Sequence, residues 1–280
     1  MIQISGLSKN FDGYEALKNL DINIGKGSIY GLVGVNGSGK TTAIKHLAGV
    51  FRGDAGQVLL DGAKVYDNAA AKSRISYVPD DLYFFPSYNL KMLAKFHKNM
   101  HKHWSDERFN ELVNLMELDP KRRVGRFSKG MQKQAALILA LAAKPEFLLL
   151  DEPIDGLDPI VRKRIFTWII EDVADRQMTV LISSHNLKEM DGICDTVGII
   201  KNGTMLIERD LDELKSEMQA RAISGELPPT LDEIFIYVYE NPPNEQNALP
   251  AAQRGIVEGL CPTERRGQSP IENEGGKTND

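Results

Sequence analysis

Cysteine and basic charge are both scarce in this sequence. Its 280 residues include two cysteines, Cys194 and Cys261, which form neither a disulfide framework nor a metal-ligand pattern. The formal net charge is −5, whereas nucleic-acid-binding proteins usually carry a basic excess. The composition therefore predicts two reduced thiols in a cytosolic protein and no nucleic-acid partner.

Long apolar runs are missing as well. The longest, at residues 135–143, has nine residues, which is too short to span a bilayer. The first residues, MIQISGLSKN, lack the basic and then apolar order of a signal peptide. We therefore expect no membrane crossing in this sequence, and any membrane role would come through a partner protein.

The sequence does contain a glycine-rich motif, GVNGSGKT, at residues 34–41. An apolar run at residues 28–33 precedes it and a helical pattern at residues 41–48 follows, which is the strand–loop–helix context of a phosphate-binding P-loop. Glycines let backbone N–H groups turn toward an anion, and the helix N-terminus adds partial positive charge. The motif predicts nucleotide binding, with Lys40 at the β- and γ-phosphates and the Thr41 hydroxyl at Mg²⁺. A plain glycine-rich turn is the alternative, and the flanking pattern disfavours it.

Strands and helices alternate along most of the chain. Apolar runs predict buried strands at residues 75–78, 147–150 and 179–183, with helical patterns between them. Because such alternation builds a parallel sheet covered on both faces, the predicted fold class is α/β with a mostly parallel core sheet.

An antiparallel part is predicted at the N-terminus, with short strands at residues 2–4 and 20–24. The dipeptides Asp61-Gly62 and Asn202-Gly203 lie between short apolar runs and predict two hairpins. From Leu90 to about Glu117 the pattern becomes helical, which indicates an inserted helical subdomain.

Polar residues follow the predicted strands. Asp151 and Glu152 lie where a parallel strand would present an Mg²⁺ ligand and a general base. Helix capping is the plainer interpretation of these two acids, and the P-loop upstream disfavours it. Taken alone, Ser128 could be an N-cap and His185 a structural residue.

In order and spacing, these motifs closely resemble the ATPase domain of the ATP-binding cassette (ABC) family over about residues 1–225. GVNGSGKT matches Walker A, LLLDE matches Walker B, FSKGM lies at the signature position, GLD matches the D-loop and SSH matches the switch histidine. Lys9-Asn10-Phe11 lies where the family places an aromatic that stacks on adenine. Phe11 is the first choice for that role and Tyr14 the alternative.

The resemblance implies a role for each matching residue. Mg²⁺ would be held by Thr41 and Asp151, Glu152 would be the general base, and His185 would contact the γ-phosphate. Lys40 would hold the phosphates as well as act in catalysis. The P-loop residues implied in ATP binding are Gly34, Asn36, Gly37, Ser38, Gly39, Lys40, Thr41 and Thr42.

A second subunit is also implied by the resemblance. Ser128 and Gly130 would contact the γ-phosphate of a nucleotide held by another ATPase subunit. The active unit would then be a head-to-tail homo- or heterodimer with two ATPs at its interface.

Two positions depart from the family pattern. Asp80 stands where the family usually has glutamine, and as a charged residue it could bind Mg²⁺ directly or through water. We therefore include Asp80 among the expected catalytic and metal-binding residues. Lys129 replaces a glycine of the signature, and we expect its side chain to point to solvent.

The resemblance also suggests partners and location. The segment DDLYFFPSY at residues 80–88 lies where family members face the membrane subunit. Its aromatics Tyr83, Phe84 and Phe85 would be either interface anchors or a local hydrophobic core. We expect an integral membrane permease as partner, export rather than import, and a position at the cytoplasmic face of the cell membrane. The alternatives are a non-transport ABC ATPase and an ATP-dependent dimerisation switch.

The C-terminal part changes in composition. Thr230 and Glu233 form a possible capping box, and the prolines and glycines after Glu240 favour a flexible tail over an extension that packs on a partner. The predicted organisation is an ABC ATPase domain at residues 1–225 with its helical subdomain at about 85–145, a C-terminal helix at 226–240 and a tail at 241–280.

Overall fold

This computed structural model describes residues 1–220 and 229–242, which contain two β-sheets, nine α-helices and one 3₁₀-helix, Val124–Arg126. The strands are β1 (Ile2–Phe11), β2 (Tyr14–Ile24), β3 (Ile29–Val33), β4 (Ala55–Leu60), β5 (Ala63–Lys64), β6 (Ile75–Val78), β7 (Phe147–Asp151), β8 (Thr179–Ser184), β9 (Thr196–Lys201) and β10 (Thr204–Asp210). The α-helices are α1 (Lys40–Leu47), α2 (Ala69–Lys72), α3 (Leu90–Met100), α4 (Asp106–Leu115), α5 (Lys129–Ala142), α6 (Pro159–Arg176), α7 (Leu187–Met190), α8 (Leu211–Ala220) and α9 (Leu231–Glu240).

The larger sheet has the strand order β10-β9-β3-β8-β7-β6. Strands β9, β3, β8, β7 and β6 run parallel, and β10 returns antiparallel to β9 through the predicted Asn202-Gly203 turn. Every residue of β3, β7 and β8 is buried, which explains why these strands read as continuous apolar runs. The predicted α/β class with a mostly parallel core sheet is confirmed.

The smaller sheet is antiparallel, with the order β2-β1-β4-β5. Its β4–β5 hairpin turns at Asp61-Gly62, as predicted. Apolar side chains of β1 and β2, among them Ile4 and Ile22, pack with Ile44 and Leu47 of α1 in one core cluster. This packing fixes α1, which follows the P-loop, between the two sheets.

Three helices, α3, α4 and α5, occupy most of the stretch predicted as a helical subdomain. Helix α5 begins after Ser128, whose hydroxyl accepts a hydrogen bond from the Met131 N–H as an N-cap. Residues 135–142 of α5 are all buried. The helix therefore lies in the core over its second half and reaches solvent at its N-terminus.

Helix α9 begins with the predicted capping box between Thr230 and Glu233. Leu231, Ile234 and Val238 form its buried face. The predicted tail lies outside the described residues from position 243 onward, as do residues 221–228. None of the helices in the described ranges combines the length and apolar character of a membrane span.

Candidate nucleotide site

Four parallel strands of the larger sheet end at one edge. Strand β3 leads into the P-loop, β6 toward Asp80, β7 into Asp151 and Glu152, and β8 into His185. Ligands of open α/β sheets bind in the crevice outside the carboxyl ends of the strands. The edge therefore gathers residues that are far apart in the sequence.

Steric restrictions explain two glycines of the P-loop. Gly39 has φ +112° directly before α1, and a Cβ there would lie 2.9 Å from the carbonyl oxygen of Ala16. At Gly34 a Cβ would lie 2.5 Å from the carbonyl oxygen of Ile200. The loop packs so closely against β2 and β9 that neither position has room for a side chain, which explains why both residues are glycines. The Ser38 carbonyl also accepts a hydrogen bond from the Gly203 N–H at 2.8 Å.

Lys40 is the buried cation of the site, with 6% of its surface exposed. Its Nζ donates to the Gly34 carbonyl at 2.7 Å and lies 3.5 Å from Oε1 of Glu152. The P-loop backbone and a carboxylate thus hold the ammonium group at the carboxyl end of β3. A phosphate group at this point would meet a desolvated positive charge.

Asp151 is buried and shares one carboxylate oxygen between two hydroxyls. Its Oδ1 accepts hydrogen bonds from Ser183 Oγ at 2.6 Å and from Thr41 Oγ1 at 3.2 Å. Its Oδ2 is buried without a hydrogen-bond partner among the described residues. A carboxylate oxygen beside a hydroxyl at a helix N-terminus is the oxygen donor set that Mg²⁺ prefers. These residues therefore fit a magnesium ion.

Glu152 is 8% exposed and lies between two other predicted site residues. Its Oε2 accepts a hydrogen bond from the His185 backbone N–H at 3.2 Å and lies 3.0 Å from His185 Nδ1. Its backbone has φ +46°, which is unusual for a residue with a side chain. A carboxylate held at this depth is oriented for a role as a proton acceptor.

A further group of possible metal ligands overlaps this arrangement. Ligand atoms of Glu152, Asp155 and His185 all lie within 4.8 Å of one another. Because Glu152 and His185 already share a hydrogen bond, this group belongs to the same site.

Asp80 is exposed, and its carboxylate pairs with Lys133 Nζ at 3.2 Å. The sequence predicted this residue at the metal, and in the structure its described partner is a cation of α5. The nearby hydroxyl of Tyr77 has a pKa well above its usual value because it is buried, with Asp151 and Asp80 adding to the shift.

The two candidate adenine platforms are the residues on either side of the β1–β2 turn. Phe11 and Tyr14 are paired residues of this hairpin and are both exposed. The Phe11 ring packs edge-on against Phe51, with centroids 5.4 Å apart. Lys9 Nζ lies 5.3 Å from the centroid of the Phe11 ring. The Tyr14 hydroxyl donates to the Gly37 carbonyl at 3.3 Å. Tyr14 therefore contacts the P-loop directly, whereas the Phe11 ring packs against Phe51, which follows α1.

The signature residues occupy a different surface. Ser128 and Lys129 are exposed and Gly130 is half-buried at the N-terminus of α5. The expected solvent exposure of Lys129 agrees with this placement. The described contacts do not join Ser128 or Gly130 to the P-loop of their own chain.

Sequence reasoning missed two residues that hold the site together. Ser183 bonds Asp151, and Lys133 donates to the Glu152 backbone carbonyl at 2.7 Å. Ser183 lies two residues before His185 on the same strand end, so its position was a usable signal. Lys133 gave no local signal, because its partners lie far away in the sequence.

Comparison with known proteins gives a consistent result. A family model described as "ABC transporter" matches residues 17–155. The ABC transporter ATP-binding protein YtrB of Bacillus subtilis (strain 168) is 35% identical over 217 residues, which cover 78% of this chain and 74% of that protein. This chain belongs to the family of ABC transporter ATP-binding proteins.

Other similarities agree with this ABC ATPase assignment. The bacitracin transport ATP-binding protein BcrA of Bacillus licheniformis is 36% identical over 220 residues, covering 77% of this chain and 71% of that protein. A solved "ATP binding subunit of ABC transporter" shares the fold, with a TM-score of 0.77 and 22% identity over 85% of this chain and 99% of that chain. The predicted family, fold and ATPase class are confirmed, and the non-transport alternatives are not favoured.

Proposed function

We propose that this ABC ATPase hydrolyses ATP at two composite sites of a head-to-tail dimer and thereby drives export through separate membrane subunits. The observation that carries the proposal is the buried cluster of Lys40, Asp151 and Glu152 beside His185. It combines a phosphate-binding cation, a metal-binding carboxylate and a proton acceptor at one sheet edge.

Within one subunit, the P-loop backbone from Gly37 to Thr42 binds the phosphates, and Phe11 stacks on adenine. Thr41 and Asp151 would hold Mg²⁺, which would supply positive charge to neutralise the phosphate groups. Support comes from the free, buried Oδ2 of Asp151, which has no hydrogen-bond partner among the described residues.

The chemical step depends on Glu152. When nucleotide enters, its phosphates compete with Glu152 for Lys40, and the carboxylate is freed to accept a proton from the attacking water. His185 then donates to the γ-phosphate. The 3.5 Å separation of Lys40 Nζ from Glu152 Oε1 supports this exchange of partners.

The second half of each site comes from the partner subunit, whose Ser128 and Gly130 meet the γ-phosphate. Support comes from their position at the N-terminus of an α-helix of 14 residues, where Ser128 is exposed and Gly130 is half-buried. Backbone N–H groups and the helix dipole make such a terminus suited to anions. ATP would then join the two subunits, and hydrolysis would release them.

Membrane coupling is assigned to the exposed aromatics after Asp80. Tyr83 is 79% and Phe85 is 51% exposed, and rings of this kind dominate interface hot spots. A membrane permease docked there would hold this protein at the cytoplasmic face of the membrane. Co-purification with a polytopic membrane protein, lost on Tyr83→Ala with Phe85→Ala, supports this docking; unchanged recovery opposes it.

The substitution Glu152→Gln tests the central chemistry. ATP binding persists, turnover falls at least about 100-fold because the proton acceptor is gone, and a stable ATP-bound dimer accumulates. Phosphate release and size-exclusion chromatography with ATP measure these two results. Turnover at the wild-type rate would remove Glu152 as the base, and a variant that stays monomeric with ATP would oppose the composite site.

A further inference from the structure

Lys133 is a largely buried cation that the proposed mechanism does not use. Its side chain is 12% exposed, and its Nζ donates to the Glu152 carbonyl at 2.7 Å and to Asp80 Oδ1 at 3.2 Å. Lys133 belongs to α5, Asp80 follows β6, and Glu152 follows β7. One ammonium group thus connects three separate segments at the edge of the site.

The backbone of Glu152 is in a conformation that needs such support. Its φ of +46° lies in the left-handed region, which is sterically unfavourable for a residue with a side chain. Pro153 follows, and proline restricts the residue before it to extended conformations. A conformation disfavoured on both counts persists only where surrounding contacts determine it.

Different contacts hold different groups of Glu152. Its N–H donates to the Ser183 carbonyl and hydroxyl, both at 3.2 Å, and its carboxylate meets Lys40 and His185. Because Pro153 has no N–H, the peptide group between Glu152 and Pro153 offers only a carbonyl for hydrogen bonding. The ammonium of Lys133 takes that carbonyl and so fixes the peptide plane from which the carboxylate extends.

We propose that Lys133 is a positioning residue that sets the orientation of Glu152, and that Asp80 acts by holding Lys133 in place. The inference rests on the proposed role of Glu152 as the general base. It gives Asp80 a function different from the metal ligation expected from its place in the sequence. A misdirected base slows the chemical step without weakening substrate binding.

The test compares Lys133→Met, Lys133→Arg and Asp80→Asn, each alone, with the double variant Lys133→Met/Asp80→Asn. The matched controls are Lys95→Met on α3 and Asp81→Asn, which remove an exposed charge of the same sign. Steady-state ATPase assays give kcat and KM for ATP, and a magnesium titration gives the metal requirement. Thermal melting checks that each variant is folded.

Lys133→Met is expected to lower kcat about ten-fold or more with KM for ATP changed less than about two-fold. Lys133→Arg keeps a donor and is expected to retain most of kcat. Asp80→Asn is expected to lower kcat less than Lys133→Met does, and to cause no further loss in the double variant because both act through one contact. Both controls are expected to match the wild type.

Two results would overturn the proposal. One is a Lys133→Met variant with wild-type kcat, or with a loss that appears in KM alone. The other concerns Asp80: if Asp80→Asn lowers kcat equally in the presence and absence of Lys133 and raises the magnesium requirement, Asp80 serves the metal instead.

Hydrogen exchange does not depend on turnover, so it tests the role of Lys133 separately from the proposed function. Hydrogen exchange of a peptide covering residues 150–158 is expected to become faster in Lys133→Met and to stay unchanged in Lys95→Met. Unchanged exchange in Lys133→Met overturns the positioning contact. A Glu152→Gln variant with full turnover overturns the proposed base, whatever the exchange result.

Discussion

The P-loop region and the signature region differ in how completely each is built within one chain. Lys40, Asp151 and Glu152 are buried; Lys40 lies 3.5 Å from Glu152, and Asp151 accepts a hydrogen bond from Ser183 of the neighbouring strand. Ser128 and Gly130 lie at a solvent-facing helix start, where the Ser128 hydroxyl caps its own helix. The P-loop region is therefore organised within one chain, whereas the signature region presents a solvent-facing surface that a second subunit can contact.

Charge distribution sharpens this contrast. The first turn of α5 carries no acidic residue, so no carboxylate there neutralises the positive end of the helix dipole. In the P-loop region the ammonium of Lys40 already has a carboxylate beside it. Under the proposed composite site, nucleotide would therefore replace an existing partner of Lys40 in the P-loop region and would bring a first anion to the signature region.

The largest expected effects are losses of ATPase activity, and nucleotide binding by the isolated chain distinguishes the two regions. Lys40→Met and Ser128→Arg are each expected to lower turnover at least about 100-fold. Lys40→Met also weakens nucleotide binding by the isolated chain, because the phosphates lose their cation, whereas Ser128→Arg leaves that binding unchanged. Fluorescent-nucleotide titration at concentrations that keep the chain monomeric measures the difference.

A control for this pair is Ser105→Arg, since Ser105 is the N-cap of α4. Like Ser128→Arg, the Ser105→Arg variant loses a serine N-cap, which contributes about 1 kcal/mol of stability. Its ATPase activity is expected to stay at the wild-type level. If Ser128→Arg weakened nucleotide binding by the isolated chain as much as Lys40→Met does, the contrast between the regions would fail.

A smaller effect concerns the adenine side of the P-loop region. Phe11→Ala is expected to raise KM for ATP about ten-fold, since stacking of a base on an aromatic ring contributes about 1–3 kcal/mol. Tyr14→Ala, on the paired residue of the same hairpin, serves as the matched control and is expected to change KM less than two-fold by the same argument. The reverse order would assign the platform to Tyr14.

Sequence patterns were most informative where one segment carries both the motif and its structural context. The P-loop and the Asp151-Glu152 pair follow strands that are buried throughout, so their apolar runs predict both the strand and its end. Strand β1 was expected at residues 2–4 and extends from Ile2 to Phe11. Shifts in its pairing register between Ile4 and Lys9 interrupt the alternation on which the prediction depended.

Other features depend on contacts that a local pattern does not record. Asp80 and Lys133 are 53 residues apart, and Lys133 and Glu152 are 19 apart. Their ion pair and hydrogen bond arise only because β6, β7 and α5 come together in the fold. Phe11 was the first choice for the adenine platform and Tyr14 the alternative; the two residues flank one turn, and the choice of Phe11 stays a prediction.

The smallest expected effect lies in the helical part that carries the signature. His97 of α3 stacks on His101 with centroids 5.6 Å apart, and its burial, with a smaller contribution from His101, lowers its pKa to about 4. Since the pKa is lower in the folded state, unfolded chains bind more protons between pH 6.5 and 4, and stability falls as the pH drops. We expect a loss of about 1 kcal/mol between pH 7 and 5, allowing for partial exposure.

Urea unfolding at the two pH values measures this change. The variant His97→Gln is expected to reduce the pH dependence, whereas His103→Gln, at an exposed position, keeps it. An equal pH dependence in His97→Gln and wild type would show that the acid sensitivity originates elsewhere in the protein.

Subunit complementation tests most directly the claim that each active site takes one half from each of two chains. Lys40→Met and Ser128→Arg preparations are each expected to be nearly inactive alone. In a mixed dimer, the intact P-loop of one chain meets the intact signature of the other. An equimolar mixture, after exchange of subunits, is predicted to recover about a quarter of wild-type ATPase activity, from one working site in half of the dimers. A mixture that exchanges subunits and stays inactive would contradict the account.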